Sequence, residues 1–265
     1  MVEAVMEATV YEMIRPDISH IEIEDGAPVD NIFSEKQMRL LAESLNASWE
    51  GPPADEEDQP RSFAVFANVG LFSARDRPAI VPDVMVSLDV IIQPDLRLKE
   101  NNTYFVWEFG KVPELTIEVV SNRVGGEDGR KLREYARIGV AYYVIYDPAH
   151  YLGREALRMY ELRHRAYTAM DEQWMPALGL GLREWHGEYE GVEEEWLRWC
   201  DIDGTLLPTG TELATEQKTR AELASKRAEQ AEEQAELARE QTELAESRAQ
   251  RLAAQLRALG IDPEA

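Results

Sequence analysis

Three stretches of the chain alternate apolar and polar positions as pleated strands do, and each is bounded by polar or turn-forming residues. Phe63–Val69 is the first. In the second, Ile80–Leu88, the residues Val84, Val86 and Leu88 share one face while Asp83, Met85 and Ser87 share the other. In the third, Leu115–Val120, the residues Leu115, Ile117 and Val119 oppose Thr116, Glu118 and Val120. Ahead of these strands, Met38, Leu41 and Leu45 recur at helical spacing after Ser34, which predicts a helix from about Glu35 to Ala47 capped by Ser34. Residues 1–33 read as an irregular lead-in with a short strand at Ile21–Ile23, residues 51–58 as a polar loop, and residues 89–113 as a loop or hairpin excursion.

After the third strand, Gly125-Gly126 breaks the pattern. Asp128 can then cap a helix to about Ile138, which Gly139 stops in the position after the last helical turn. Val140–Tyr146 follows as a buried strand ended by Asp147-Pro148. Strand, helix and strand in succession form a crossover unit, which normally sets the two strands parallel. Leu157–Leu162 and Ala166–Met170 read as an antiparallel hairpin, and residues 176–208 as a mixed finishing segment.

The end of the chain follows a different rule. Ala221, Ala224, Ala228, Ala231, Ala235, Ala238, Thr242, Ala245, Ala249, Leu252, Leu256 and Leu259 alternate spacings of three and four, an a/d heptad seam made mostly of alanine. Leu223, Leu237 and Leu244 flank the seam, and Glu, Lys and Arg fill the other positions. The pattern predicts a helix that joins protomers as a coiled coil. An alanine seam buries little area per residue, so a lone solvated helix is the competing reading.

Composition supports this division. All six Trp and ten Tyr lie before residue 200, and the last fifty residues contain no aromatic side chain. The expected organisation is a lead-in (1–33), one catalytic-sized domain (34–200), a linker (201–211), a coiled-coil helix (212–259) and a short tail (260–265). Cys200 is the only cysteine, which excludes an intrachain disulfide or a cysteine-based zinc module and suits a reducing compartment. The N-terminal residues are too acidic for a signal peptide, and no apolar run approaches the ~20 residues needed to span a bilayer. A cytoplasmic protein with no membrane association is expected.

The net charge of −23 opposes non-specific binding to a phosphate backbone. Contact with nucleic acid would need a local basic patch, and Arg123, Arg130, Lys131, Arg133 and Arg137 make the compact one.

Two carboxylates stand out against their apolar surroundings: Asp83, which follows Pro82 at the head of a Val-rich strand, and Glu118, in the middle of Leu-Thr-Ile-Glu-Val-Val. A charge embedded this way is costly unless paired, protonated or bound to a cation. Two of them on neighbouring strands would suit Mg²⁺, which takes one or two protein carboxylates and leaves room for water and substrate phosphate. The four histidines are scattered without ligand spacing. Lys131, on the helix after the Glu118 strand, could aim an ammonium group back over that strand and orient a water or steady phosphate charge. Taken singly, Asp83 reads as a turn or cap residue, Glu118 as the partner of Lys131 or Arg133, and Lys131 as an ordinary solvated residue.

The strings Pro82-Asp83-Val84-Met85-Val86, Pro113-Glu114-Leu115-Thr116-Ile117-Glu118-Val119-Val120-Ser121 and Asp128-Gly129-Arg130-Lys131 all resemble the Uma-two family, as do Tyr135, Gly139-Val140, Tyr142-Tyr143 and Asp147-Pro148. That family consists of restriction-endonuclease-like proteins in the PD-(D/E)XK superfamily, and the likeness spans about residues 34–200. The resemblance implies an α/β fold with a restriction-endonuclease-like mixed β-sheet core flanked by helices. It also implies Asp83 and Glu118 as ligands of Mg²⁺, with Mn²⁺ as a substitute. One departure from the parent superfamily stands out: the position two after Glu118 holds Val120 where a lysine is usual, and Lys131 on the following helix takes its place. A glutamate of the first helix sometimes joins such sites, which draws attention to Glu35 and Glu43.

The reading is a metal-dependent endonuclease for DNA phosphodiesters that assembles as a homo-oligomer through its tail. The rival is a non-catalytic scaffold that binds a protein partner through its acidic body and coiled tail. Nothing in the residues separates DNA from RNA or assigns sequence specificity.

Overall fold

The computed structural model describes residues 31–52, 54, 61–98 and 101–258. The strand expected at Ile21–Ile23, the last seam position Leu259 and the tail 260–265 lie outside the described residues. The chain divides into two compact units, 1–207 and 208–265.

Among its described residues the first unit runs from α1 (Ile32–Ser48) through β1 (Phe63–Ala67), β2 (Leu71–Phe72), β3 (Val84–Leu88), β4 (Tyr104–Phe105), α2 (Val106–Phe109) and β5 (Leu115–Val119). A π-helical turn (Glu127–Lys131) leads into α3 (Leu132–Ile138), which is followed by β6 (Tyr142–Tyr146), β7 (Leu157–Arg163), β8 (Ala166–Ala169), β9 (Trp174–Met175), β10 (Leu180–Tyr189) and β11 (Val192–Cys200).

Six strands build the main sheet in the order β1-β3-β5-β6-β7-β8. The β5/β6 pair is parallel, as the crossover predicts, and every other pair is antiparallel. Both faces of the sheet are covered, which is why β3, β5 and β6 are buried at every position. On one face Val84, Val86, Leu115, Ile117, Val119, Val144 and Tyr146 pack with α1 and with the second sheet, β9-β10-β11, through Met38, Leu41, Leu45, Leu182 and Trp199. The other face carries Met85, Val120, Tyr143 and Ile145 and packs under Tyr135 of α3 and under Leu71, Ile80 and Tyr104.

Several sequence expectations shift in detail. Asn31, not Ser34, is the N-cap of α1: its Oδ1 accepts the Ser34 backbone N–H at 2.9 Å, and Ser34 itself is buried. The asparagine lies three residues before the N–H it satisfies, the reach a cap needs. Asp128 does not cap the crossover helix either. It lies inside the π-helical turn, where Lys131 N donates to Gly126 O at 2.9 Å. Gly139 does end α3, at φ 99°, a left-handed conformation that side-chain-bearing residues rarely adopt. The excursion between β3 and β5 holds β4 and α2, with β4 lying parallel to β2.

α1 is fixed to β11 by a buried amide. Gln37 Nε2 donates to Leu197 O and Gln37 Oε1 accepts from Leu197 N, each at 2.9 Å, so one side chain satisfies a buried N–H and a buried C=O.

The second unit is α4 (Gly210–Ala258), 49 residues of uninterrupted helix. It starts two residues earlier than expected because Thr209 and Glu212 form a capping box. Thr209 Oγ1 accepts from Glu212 N at 3.2 Å, and Glu212 Oε2 accepts from Thr209 N at 2.7 Å. Along it Leu223, Leu237, Leu244 and Leu252 are 48–62% exposed.

Candidate functional site

Glu118 projects from β5 onto the face of the sheet covered by α3, because the strand period of two sends it opposite Ile117 and Val119. The β3/β5 register pairs Val84 with Ile117, so one step further along the ladder Asp83 comes opposite Glu118. Asp83 Oδ2 accepts the Val119 backbone N–H at 2.6 Å, tying the head of β3 to the end of β5. Asp83 thus holds the β5 backbone with one carboxylate oxygen while standing beside Glu118.

Lys131 reaches the same point from above. The crossover from β5 to β6 lays the π-helical turn and α3 over that face, and Lys131 Nζ donates to Glu118 Oε2 at 2.7 Å. Tyr135, one helical turn on, donates its hydroxyl to Glu118 Oε1 at 2.6 Å. Glu118 is fully buried and has both carboxylate oxygens engaged. Glu127 forms the far side, with Oε1 3.7 Å from Lys131 Nζ, and its backbone carbonyl accepts the Tyr143 hydroxyl at 2.9 Å.

The electrostatics follow from burial. Loss of water pushes the Glu118 carboxyl above its ordinary range, against the pull of the Lys131 charge and of the hydrogen bonds from Lys131 and Tyr135. Lys131 is desolvated too, but the charge and hydrogen bond of Glu118, with further help from Asp83 and Glu127, hold its ammonium above the ordinary lysine range. Burial beside Glu118 also raises the Tyr135 hydroxyl well above its ordinary value, so it stays a proton donor.

The three residues singled out from the sequence thus meet at one place, while others do not. Glu35 pairs with Arg39 and Glu43 accepts from Tyr189, and α1 packs on the opposite face of the sheet from Glu118. Arg123, Arg130, Arg133 and Arg137 are exposed around the more buried Lys131, and Arg137 pairs with Glu134. Two residues were missed as participants, Tyr135 and Glu127. Both stand four positions from Lys131, the spacing that places side chains together on a helix.

Among the described residues, no group of three or more His, Cys, Asp or Glu side chains is arranged to hold a metal ion. The carboxylates that stand side by side here are Asp83 and Glu118, the oxygen-donor chemistry that a hard divalent cation takes. No helix among the described residues is long and apolar enough to cross a membrane.

Residues 11–186 match the family described as Uma2, Putative restriction endonuclease. The chain belongs to the Uma2 family. The match opens at residue 11, ahead of the 34 read from the sequence, and takes in Asp83, Glu118 and Lys131. No curated protein matches the chain. Membership in Uma2 marks the chain as a nuclease-type protein, and the mixed sheet is consistent with the restriction-endonuclease-like core expected for it.

Proposed function

We propose that this Uma2 protein is a metal-dependent endonuclease acting on DNA phosphodiester bonds, with Asp83 and Glu118 holding Mg²⁺ and Lys131 positioning the attacking water. The observation that carries the reading is a fully buried glutamate in register beside an aspartate, with a lysine ammonium 2.7 Å away. A glutamate needed only for packing would be better replaced by an apolar residue, since isolating such a charge from water is costly.

Bound there, Mg²⁺ would polarise a phosphoryl oxygen and lower the pKa of a bound water, and Mn²⁺ would substitute for it. The protein supplies the rest. Tyr135 fixes the Glu118 carboxylate by its hydrogen bond to Oε1. Lys131, kept charged by its carboxylate neighbours, donates hydrogen bonds to the water or to the phosphate as negative charge develops. The exposed arginines around Lys131 offer a local positive surface on a chain whose net charge repels DNA.

The test is cleavage of duplex, single-stranded and branched DNA with Mg²⁺ or Mn²⁺, with Asp83→Ala and Lys131→Ala run alongside. Metal-dependent cutting by the wild type should fall by at least about a hundredfold in each variant, the scale expected for removal of one transition-state donor. Cutting left intact in Asp83→Ala would remove that residue from the site.

The scaffold reading also has an observation behind it: Lys131 and Tyr135 already satisfy Glu118 within the chain. Magnesium binding separates the two, because a scaffold has no reason to bind the ion at Asp83 and Glu118.

The tail is proposed to pair with a second copy of the chain through its alanine seam, covering the leucines that a single copy leaves exposed. Deleting residues 212–265 should lower the mass measured by light scattering to that of the monomer without unfolding the body. The same number of chains per particle in both forms would overturn this assignment.

A further inference from the structure

We propose that Glu127 is a second station for the Lys131 ammonium, which moves there when a divalent cation takes Glu118; this rests on the nuclease reading above. In the structure Lys131 sits on Glu118 Oε2, a carboxylate oxygen the cation would need. Two cations on one buried carboxylate repel each other, so the ammonium must have somewhere else to go.

Glu127 provides that place. Its Oε1 is 3.7 Å from Lys131 Nζ, already within ion-pair range but too far for a hydrogen bond. The residue is only 6% exposed, and among the described residues its Oε2 has no hydrogen-bond partner. Among the described residues it is the one carboxylate oxygen left buried in that condition. Such an atom costs free energy until a donor reaches it, and the Lys131 ammonium already stands within ion-pair range of the same carboxylate.

The local backbone is built around this carboxylate. Gly125 lies directly under it: a Cβ there would overlap Glu127 Oε1 and come within 2.6 Å of Cδ. The π-helical turn puts Glu127 and Lys131 four residues apart on one face, and the Tyr143 hydroxyl anchors the Glu127 carbonyl. A small swing of the flexible lysine stem trades one carboxylate for the other and keeps the ammonium paired throughout. Glu127 is therefore a positioning residue, acting through Lys131.

Calorimetric titration of MgCl₂ into the full chain, without nucleic acid, tests this. Glu127→Gln keeps the shape and removes the charge, and should weaken Mg²⁺ binding by at least about tenfold, the scale for groups that support metal ligands. Gly125→Ala keeps the charge but displaces the carboxylate, and should weaken it similarly. The NMR signal of the Lys131 side-chain ammonium should shift when Mg²⁺ is added to the wild type and stay in place in Glu127→Gln. Wild-type affinity in either variant would overturn the second station and leave the nuclease reading standing. No Mg²⁺ binding by the wild type would overturn the nuclease reading, and this inference with it.

Discussion

Lys131→Met is expected to destabilise the fold by about 3–5 kcal/mol at neutral pH and by much less in acid. The methionine fills the space of the lysine stem but leaves Glu118 buried without its cation, and a broken buried pair typically costs this much. The pH dependence follows from the direction of the Glu118 shift. Burial raises its folded pKa above the unfolded one, so the folded state binds the proton more tightly. That contribution to stability is fully present below the unfolded pKa and is lost as the pH rises through the folded pKa. With Lys131 gone, the opposing pull disappears and the loss grows toward neutral pH. Chemical denaturation of wild type and variant at acidic and neutral pH checks it. The same loss at both pH values would show that an ionised Glu118 is not what the lysine stabilises. Adding Glu118→Gln to Lys131→Met should recover most of the loss.

Trp199→Ala should cost a comparable ~3–5 kcal/mol, for a different reason. Trp199 is fully buried where the second sheet, α1 and the main sheet meet, and its indole N–H donates to Leu41 O at 2.9 Å. Truncation opens a large cavity among Leu41, Leu182 and Leu197 and removes that donor. Unlike Lys131→Met, this loss should hardly change between acidic and neutral solution, since no titrating group loses its partner. Trp199→Phe, which retains much of the volume, should lose less than half as much. If Trp199→Ala melts with the wild type, the second sheet is not part of the cooperative core.

Much of this arrangement could be read from periodicity. Alternation in β3 and β5 already set Asp83 with Met85 and Ser87, and Glu118 with Thr116 and Val120, on faces opposite the Val, Leu and Ile positions. The crossover rule then gave the parallel β5/β6 pair, and Gly139 marked where the intervening helix stops. What misled was local capping. Ser34 and Asp128 are both good cap residues by type, but Asn31 reaches the first free N–H groups of α1, and a π-helical turn, whose hydrogen bonds span five residues, absorbs Asp128. The Thr209–Glu212 capping box was legible in principle, being Thr followed three residues later by Glu just before a helical run.

Local pattern was enough to assign α1, β1, β3, β5, the crossover helix, β6, the β7/β8 hairpin and the tail helix, and to mark two carboxylates and a lysine at exceptional positions. Those features depend on neighbours within a few residues, where backbone geometry dictates side-chain direction. Long-range packing was needed to bring Asp83, just ahead of β3, beside Glu118, to close Lys131 on Glu118 Oε2, and to complete the cluster with Tyr135 and Glu127. Strand register and the docking of a crossover helix are set by the packing of both sheet faces together, a sum over distant residues that no local pattern encodes.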